Sequence, residues 1–512
     1  MTSQSFDAAA VQFSGLLQRY LASAEPGGIV PGAAAFFAGL EAVGGVSPGI
    51  AASVAQELAD QRSNLKLIAS ENFSSLAVQL AQGNLLTDKY AEGYPGHRFY
   101  AGCDNIDAVE SEAAALAREL FGAEYAYVQP HSGADANLVA FLAILSATVE
   151  APALERIGQA NPSAVAAADW ERVRAEFTGQ RLLGMDYYSG GHLTHGYRHN
   201  VSSLLFEAHG YTVDRESMLL DYDAIRAQAL ELRPRILLAG YSAYPRKIDF
   251  ARMREIADEA GATFMVDMAH FAGLVAGGVF SGEFNPVPYA HVVTSTTHKT
   301  LRGPRGGMVM STAEFGPAID KGCPLVLGGP LGHVMAAKAV AFREALRPDF
   351  RQYAQAVVDN ARTLAEELVK RGADVVTGGT DNHLLLVDVA SSYGITGRQA
   401  ESALRSCGIT LNRNSLPFDV NGPWYTSGLR LGSPAITTLG MGADEITEIA
   451  DVITTVLAQV TQKAAAGGDG AKLSKAHYDL PAATVDMAGK RLQDLLRRFP
   501  LYPEIDLSLV NA

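Results

Sequence analysis

Lys299, Asp267 and a set of histidines stand at the ends of short apolar runs, where they can do chemistry that their neighbours cannot. The segment TSTTHKTLRGPRGG, Thr294 to Gly307, places Lys299 beyond an apolar run, beside His298 and Thr297 and ahead of a glycine-rich turn. Burial disfavours an ammonium, so a lysine in such a place titrates low and becomes able to form an imine with a carbonyl. A surface lysine at a strand end has similar local sequence, but His298, the threonines and the nearby VDMAH segment tip the balance toward chemistry. In VDMAH, Asp267 closes a run that should be buried, where a lone carboxylate is costly and needs a cation. A protonated pyridine nitrogen is one such cation, and a carboxylate beside it keeps the ring able to accept electrons. A helix cap or a buried ion pair is the plainer alternative.

HSGADAN, His131 to Asn137, follows a strand and precedes a helix. Backbone N–H groups at such a turn favour an anion, so Ser132, Gly133 and Ala134 are candidates to cradle a phosphate; an ordinary cap uses the same residues. HLTHG, His192 to Gly196, has two histidines three apart but no carboxylate or cysteine at ligand spacing, so no metal is expected. KYAEGYPGHRFY, Lys89 to Tyr100, is aromatic and glycine-rich around one carboxylate, Glu92, and is otherwise a packed surface loop. There is no P-loop pattern and no strand-linked GxGxxG.

An α/β fold is what would position these groups. Strands are expected at Tyr125 to Val128, Arg235 to Ala239, Thr263 to Val266, His291 to Val293 and Gly307 to Met310, with helical sequence between them, including Asp107 to Phe121. Crossovers of that kind make a mainly parallel sheet, and ligands sit beyond its strands' carboxyl ends. A long helical pattern from Val340 through Leu368 precedes strands at His383 to Val389, Ile409 to Asn412 and Leu429 to Leu431 and a helix from Ala443 to about Val460, a smaller α+β domain. The expected divisions are an N-terminal extension (1–52), a large domain (53–340) with an insertion at 146–181, a small C-terminal domain (341–462) and a C-terminal extension (463–512). In the extensions the sequence predicts a helix from Phe13 to Leu21, a Gly-rich linker from Ala464 to Gly470 and a peripheral last helix around Gly489 to Arg498.

At 512 residues, 48% hydrophobic and 19% charged, the chain has enough apolar sequence for two domains. The 55 acidic and 41 basic residues leave a formal charge of −14, which would repel a nucleic-acid backbone, and no basic run offsets it. Cys103, Cys323 and Cys407 lie far apart, which fits a reducing cytoplasm. No secretory signal is evident, and the apolar stretch Gly28 to Val46, broken by Pro31 and glycines and carrying Glu41, is a poor membrane span.

In order along the chain, IASENF (Ile68 to Phe73), KYAEGYPGHRFY, QPHSG, GGHLTHG, VDMAHFAGLVAGGV, THKTLRGPRGG, GGTDNHL (Gly378 to Leu384) and TSGLRLGSPA (Thr426 to Ala435) closely resemble serine hydroxymethyltransferase. The likeness runs from about Ser53 to Val460 and leaves out the two ends and Ser146 to Arg181. It implies a fold type I pyridoxal 5′-phosphate transferase, in which the large domain binds the cofactor and a homodimer or homotetramer places active sites at the subunit interface. It implies covalent attachment of the cofactor to Lys299, Asp267 at the pyridine nitrogen, His270 near the ring hydroxyl, Ser242 and His298 as further cofactor contacts, and Ser132 and Gly133 on the phosphate. Arg430 corresponds to the arginine on the substrate carboxylate, with Ser70 beside it. From the neighbouring subunit come Tyr90, Tyr100 and the proton-transfer group Glu92, and Gly328 and Gly329 as phosphate contacts. Folate falls to Gly190, Gly191, Leu193, Asn414 and Phe99, and Arg305 helps to place the active-site tyrosine.

The implied reaction is the reversible conversion of serine and tetrahydrofolate to glycine and 5,10-methylenetetrahydrofolate, through aldimine and quinonoid intermediates. Three positions depart from the pattern. Ser189 stands where the resemblance expects a ring-stacking histidine, Pro324 to Leu327 replace PGGQ, and Phe99 replaces a tyrosine. Ser189 leaves open a folate-independent β-hydroxy amino acid aldolase or transaldolase, or an α-methylserine hydroxymethyltransferase. A catalytically silent homologue is the remaining alternative, opposed by the joint presence of Lys299, Asp267, Glu92 and Arg430.

Overall fold

The computed structural model of the chain describes residues 13–25, 27–464 and 473–510. Seven strands form its larger sheet: β1 (Tyr125–Tyr127), β2 (Arg181–Met185), β3 (Glu207–Tyr211), β4 (Ile236–Gly240), β5 (Thr263–Asp267), β6 (Val292–Thr296) and β7 (Gly307–Ser311), in the order β1-β7-β6-β5-β4-β2-β3. β3, β2, β4, β5 and β6 pair in parallel, and only β7 runs against its neighbours. Side chains alternate across a strand, and here both faces are buried. Leu183, Leu237, Phe264 and Val266 pack on one side, while Leu182, Ile236, Leu238 and Met265 pack on the other. Helices Asp104–Phe121 and Phe250–Ala260 cover the first face, and Gly133–Leu145 covers the second. The apolar, 24-residue helical stretch Gly133–Arg156 has the length and composition of a membrane span, but its first half is packed in this interior.

The five strands expected in this sheet are present, four of them within a residue at each end, while β6 runs three residues past the expected Val293, to Thr296. β2, the largely buried run RLLGM, and β3 add to them. β3, EAHGY, is the edge of the sheet and leaves most of its side chains partly in water, so no apolar alternation marks it. The 146–181 stretch holds helices Ala151–Arg156 and Ala167–Thr178.

A second sheet has four antiparallel strands, β8 (Asp374–Val375), β9 (Leu384–Asp388), β10 (Asn412–Asn414) and β11 (Gly428–Gly432), in the order β8-β9-β11-β10. The strand expected at Ile409 to Asn412 is divided, because Ile409–Thr410 pairs in parallel with Leu65–Lys66 and Asn412 opens β10. The long helical pattern is likewise two helices, Gly332–Ala345 and Pro348–Lys370. Pro348 lacks the N–H needed to continue the first helix and suits the opening turn of the second.

The ends are more ordered than the sequence suggests. Pro31 starts rather than breaks a helix, Pro31–Val46, and the Glu41 carboxylate accepts from the amides of Gly15 and Leu17 at the head of helix Leu16–Ser23. The Gly-rich linker, from residue 465 onward, lies outside the described residues; the flanking Thr461–Ala464 and Leu473–Asp479 pair as antiparallel strands. The final helix is Ala482–Arg498, and it is not peripheral: Ala488, Leu492, Leu495 and Leu496 pack with Ile446, Ile449 and Ile453 of helix Ala443–Leu457.

That packing makes Leu495, 1% exposed, a core residue. Leu495→Ala should cost about 2–5 kcal/mol in urea unfolding, as buried leucine truncations do. A loss under about 1 kcal/mol would mean that the helix is only loosely applied to its lobe.

Candidate active site

The chemistry-bearing residues collect beyond the carboxyl ends of β2, β4, β5 and β6, as open α/β sheets require. Asp267 ends β5 and is 7% exposed. Its Oδ2 accepts from Asn137 Nδ2 at 2.8 Å and meets His195 Nε2 at 3.3 Å, and its Oδ1 accepts from the Ala269 amide at 3.0 Å. Burial pushes the acid toward its neutral form, but the bonds and charge of His195 and the Asn137 amide prevail and hold Asp267 below the ordinary carboxylate range. Asn137 is itself fixed, donating to Thr194 Oγ1 at 2.7 Å and accepting from Thr294 Oγ1 at 2.5 Å.

Lys299 follows β6 by three residues and is 8% exposed. Its amino group has no hydrogen-bond partner among the described residues. Burial pulls its pKa down to about 8; Asp267 opposes the shift, and the positive charges of Arg430 and Arg305 add to it. Arg305 itself is solvent-exposed. His298 is pushed down to about 3, mainly by burial, and its buried Nδ1 has no partner among the described residues.

The second lobe supplies Arg430, from the middle of β11. Its Nε donates to Asn412 Oδ1 at 3.1 Å and its Nη1 to the Ser242 carbonyl at 2.6 Å. Burial lowers it to about 10, so it stays a cation at neutral pH, and no carboxylate among the described residues pairs with it. His270 meets His383, which precedes β9, ring on ring at 5.3 Å, with Nδ1 and Nε2 3.1 Å apart. Burial and the neighbouring cations hold both well below the ordinary histidine range, so both are neutral. Ala69 lies against Gly432 of β11, which sets Ser70 beside the same strand.

At the turn into helix Gly133–Leu145, Ser132 is the cap: its Oγ accepts from the Asp135 amide at 3.1 Å and donates to Asp135 Oδ2 at 3.0 Å. Gly133 faces the end of β6 so closely that a Cβ would come within 2.7 Å of Thr296 Cγ2. This brings Ser132, Gly133 and Ala134 next to the strand that leads to Lys299, and the buried Nε2 of His131 there has no partner among the described residues.

The loop after β2 corrects one expectation. Ser189 does not face the centre; it is buried, with its Oγ accepting from the Val213 amide at 3.3 Å. Gly190, at φ 111°, turns the chain, and its carbonyl accepts from the amides of Ser242 and Ala243. Beyond Gly191 it is His192 that enters the fields of Asp267, Lys299 and Arg430, held down to about 4, chiefly by burial. HLTHG thus belongs to the centre through His192, Thr194 and His195, and no cluster of three or more metal-ligating side chains occurs among the described residues. Leu193 is exposed at the start of the next turn, and Asn414 donates to the Ser415 carbonyl at the edge strand β10.

A second group stands apart. The rings of Tyr90 and Tyr100 meet edge to face at 4.9 Å, the Phe99 amide donates to the Glu92 carbonyl at 3.0 Å, and Gly329 lies under the Tyr90 ring. Gly328 accepts from Cys323 Sγ at 3.4 Å, so the segment that replaces PGGQ still delivers both glycines to this group. Tyr90, Phe99 and Tyr100 are exposed. No hydrogen bond, ion pair or ring contact among the described residues joins this group to Lys299, Asp267 or Arg430.

A family model described as serine hydroxymethyltransferase matches residues 45–155 and 173–453. The chain belongs to the serine hydroxymethyltransferase family. It is 58% identical over 496 residues to a serine hydroxymethyltransferase of Treponema pallidum, covering 97% of this chain and 86% of that one. It is 58% identical to one of Mycolicibacterium smegmatis (93% of this chain, 95% of the relative) and 52% identical to one of Chlamydia trachomatis (92% and 95%). The interval 156–172, inside the expected insertion, falls between the two matched stretches. Enzymes of this family use pyridoxal 5′-phosphate and take tetrahydrofolate as co-substrate. The residues present fit that cofactor: an unpaired buried lysine for its aldehyde, an ionised buried carboxylate for its ring nitrogen and a capped helix start, with the partnerless His131 Nε2, for its phosphate.

Asn137, Asn412 and His383 carry no role in the sequence pattern, and His195 stands there only as half of a histidine pair. The lowered pKa of Lys299 has a direct consequence. The neutral amine is the nucleophile, so capture of a small aldehyde by cofactor-free protein, trapped by reduction and mapped to Lys299, should rise about tenfold per pH unit and then level off above about 8. A rate still climbing at about pH 10 would place the lysine at the ordinary value.

Proposed function

We propose that the chain interconverts serine and glycine, exchanging the hydroxymethyl carbon with tetrahydrofolate, and that its own residues take the roles their places suggest. The observation that carries this reading is one buried centre holding a low-titrating Lys299 and an Arg430, neither with a carboxylate in ion-pair contact among the described residues, and an ionised Asp267. Pyridoxal phosphate, when bound, supplies an electron sink for the substrate's α-carbon. Lys299 would hold its aldehyde, Asp267 would keep its ring nitrogen protonated, and Ser132, Gly133 and Ala134 would receive its phosphate. His192, rather than residue 189, would be the imidazole offered to the ring, and His270 would serve its hydroxyl.

Arg430 presents a planar fork to the substrate carboxylate, a task that lysine does poorly. Asn412 and the Ser242 carbonyl hold one N–H each of its Nε and Nη1 and so aim the remaining donors. Ser70 stands beside it. Gly190, Gly191, Leu193, Asn414 and Phe99 are proposed for the folate, and Arg305 for placing the active-site tyrosine.

Glu92 is the proposed proton-transfer group, acting on the hydroxyl of serine or on the folate. It sits with Tyr90, Tyr100, Gly328 and Gly329 in a group that, among the described residues, shares no hydrogen bond, ion pair or ring contact with Lys299, Asp267 or Arg430 of its own chain. That separation supports a homodimer, or a pair of dimers, in which each copy lends this group to the other's site. With His192 facing the centre, Ser189 gives no ground for preferring a folate-independent aldolase or an α-methylserine enzyme.

Lys299→Ala and Glu92→Gln should each lose folate-dependent serine turnover by more than about 100-fold. Unfolded together and refolded as a mixture, they should regain about one quarter of the wild-type rate, since half of the dimers are hybrids with one intact site each. No regain, with hybrids confirmed by mass, would return Glu92 to its own chain's site.

A further inference from the structure

Lys338, on helix Gly332–Ala345, is a second buried lysine that the proposed reaction leaves without a task. It is 1% exposed. Its Nζ donates to the carbonyls of Val128 at 2.6 Å, Pro130 at 2.9 Å and Gly307 at 2.8 Å, which uses all three of an ammonium's donors. No carboxylate among the described residues lies within ion-pair reach. A desolvated charge without a counterion is expensive, so its presence asks what balances it.

The three carbonyls answer where to look. Val128 and Pro130 lie between β1 and the turn at 131–134, and Gly307 opens β7 alongside, its amide donating to Pro130 at 2.9 Å. Lys338 therefore ties together the chain segments immediately before the Ser132 cap. We infer that Lys338 is the positioning residue of the phosphate end of the cofactor site, fixing the 131–134 turn and supplying the buried positive charge that favours a phosphorylated cofactor over its dephospho form. The inference rests on the reading of Ser132, Gly133 and Ala134 as the phosphate cradle. Burial draws Lys338 down to about 7, with Glu110 and Asp135 opposing at longer range, so a dianion bound above the turn would also hold the lysine in its charged form.

The test compares the affinity of cofactor-free protein for pyridoxal 5′-phosphate and for pyridoxal by equilibrium dialysis, in Lys338→Gln, Lys338→Met and Ser132→Ala. Lys338→Gln keeps donors for two of the carbonyls and so preserves the measurement if the methionine variant does not fold. Loss of the charge should weaken the phosphorylated ligand by about 10- to 100-fold while changing pyridoxal by less than about threefold, in line with hydrogen bonds to charged groups. A residue that merely supports the fold would weaken both ligands equally, and that result would overturn the inference. If Ser132→Ala lowers the preference for the phosphorylated ligand but neither Lys338 variant does, the inference about Lys338 fails alone. If Ser132→Ala leaves the preference unchanged, the cradle reading fails, and the inference with it.

Discussion

Asp267 lies almost wholly out of water, and a carboxylate there is tolerable only if its donors stay fixed and a cation faces it. The rest of the large lobe can be read as meeting the first condition. Helix Gly133–Leu145 carries Asn137 over the sheet, the loop after β2 brings Thr194 and His195, and β6 supplies Thr294 to hold the Asn137 carbonyl oxygen. Each of these side chains is buried, so none can swing away to water without leaving a polar group unpaired. The second condition is met by no permanent cation in hydrogen-bond contact. Lys299 is near enough to feel the charge, but its own burial favours the neutral amine, which leaves room for a protonated ring nitrogen.

Arg430 poses the mirror problem from the other lobe. Its guanidinium keeps its charge, two of its donors are taken by an amide oxygen and a backbone carbonyl, and no carboxylate among the described residues pairs with it. A centre with a fixed anion on one side and a fixed cation on the other suits a zwitterionic amino acid joined to a cationic ring. The lobe that carries Arg430 owes its position to β11, between β9 and β10, and to a core completed by the last helix of the chain. The terminal segments are thus coupled to the centre through packing.

Lys299 and Asp267 are legible in the sequence because their signals are local: a lysine just beyond an apolar run, and an acid closing one. The partners of Asp267 are not, since Asn137 and His195 lie 130 and 72 residues away and only the folded sheet brings them together. The loop after β2 is misread for a similar reason. Which of Ser189 and His192 faces the centre is decided by the turn at Gly190, and no feature of side-chain type records that turn. In the fold, β1 and β4 to β7 declare themselves through apolar runs, whereas the polar edge strand β3 has no such pattern. Pro31 and Pro348 show one rule with two readings, because a proline that stops a helix from within also starts one well.

The central claim, that a buried Asp267 carboxylate keeps the cofactor's ring nitrogen protonated, is tested most directly by the 15N resonance of ring-labelled pyridoxal phosphate bound to the protein, followed from about pH 6 to about pH 9. The account predicts a protonated pyridinium resonance throughout that range in the native protein and its replacement by the neutral pyridine resonance in Asp267→Asn. A neutral ring nitrogen in the native protein at any pH in that range would contradict it.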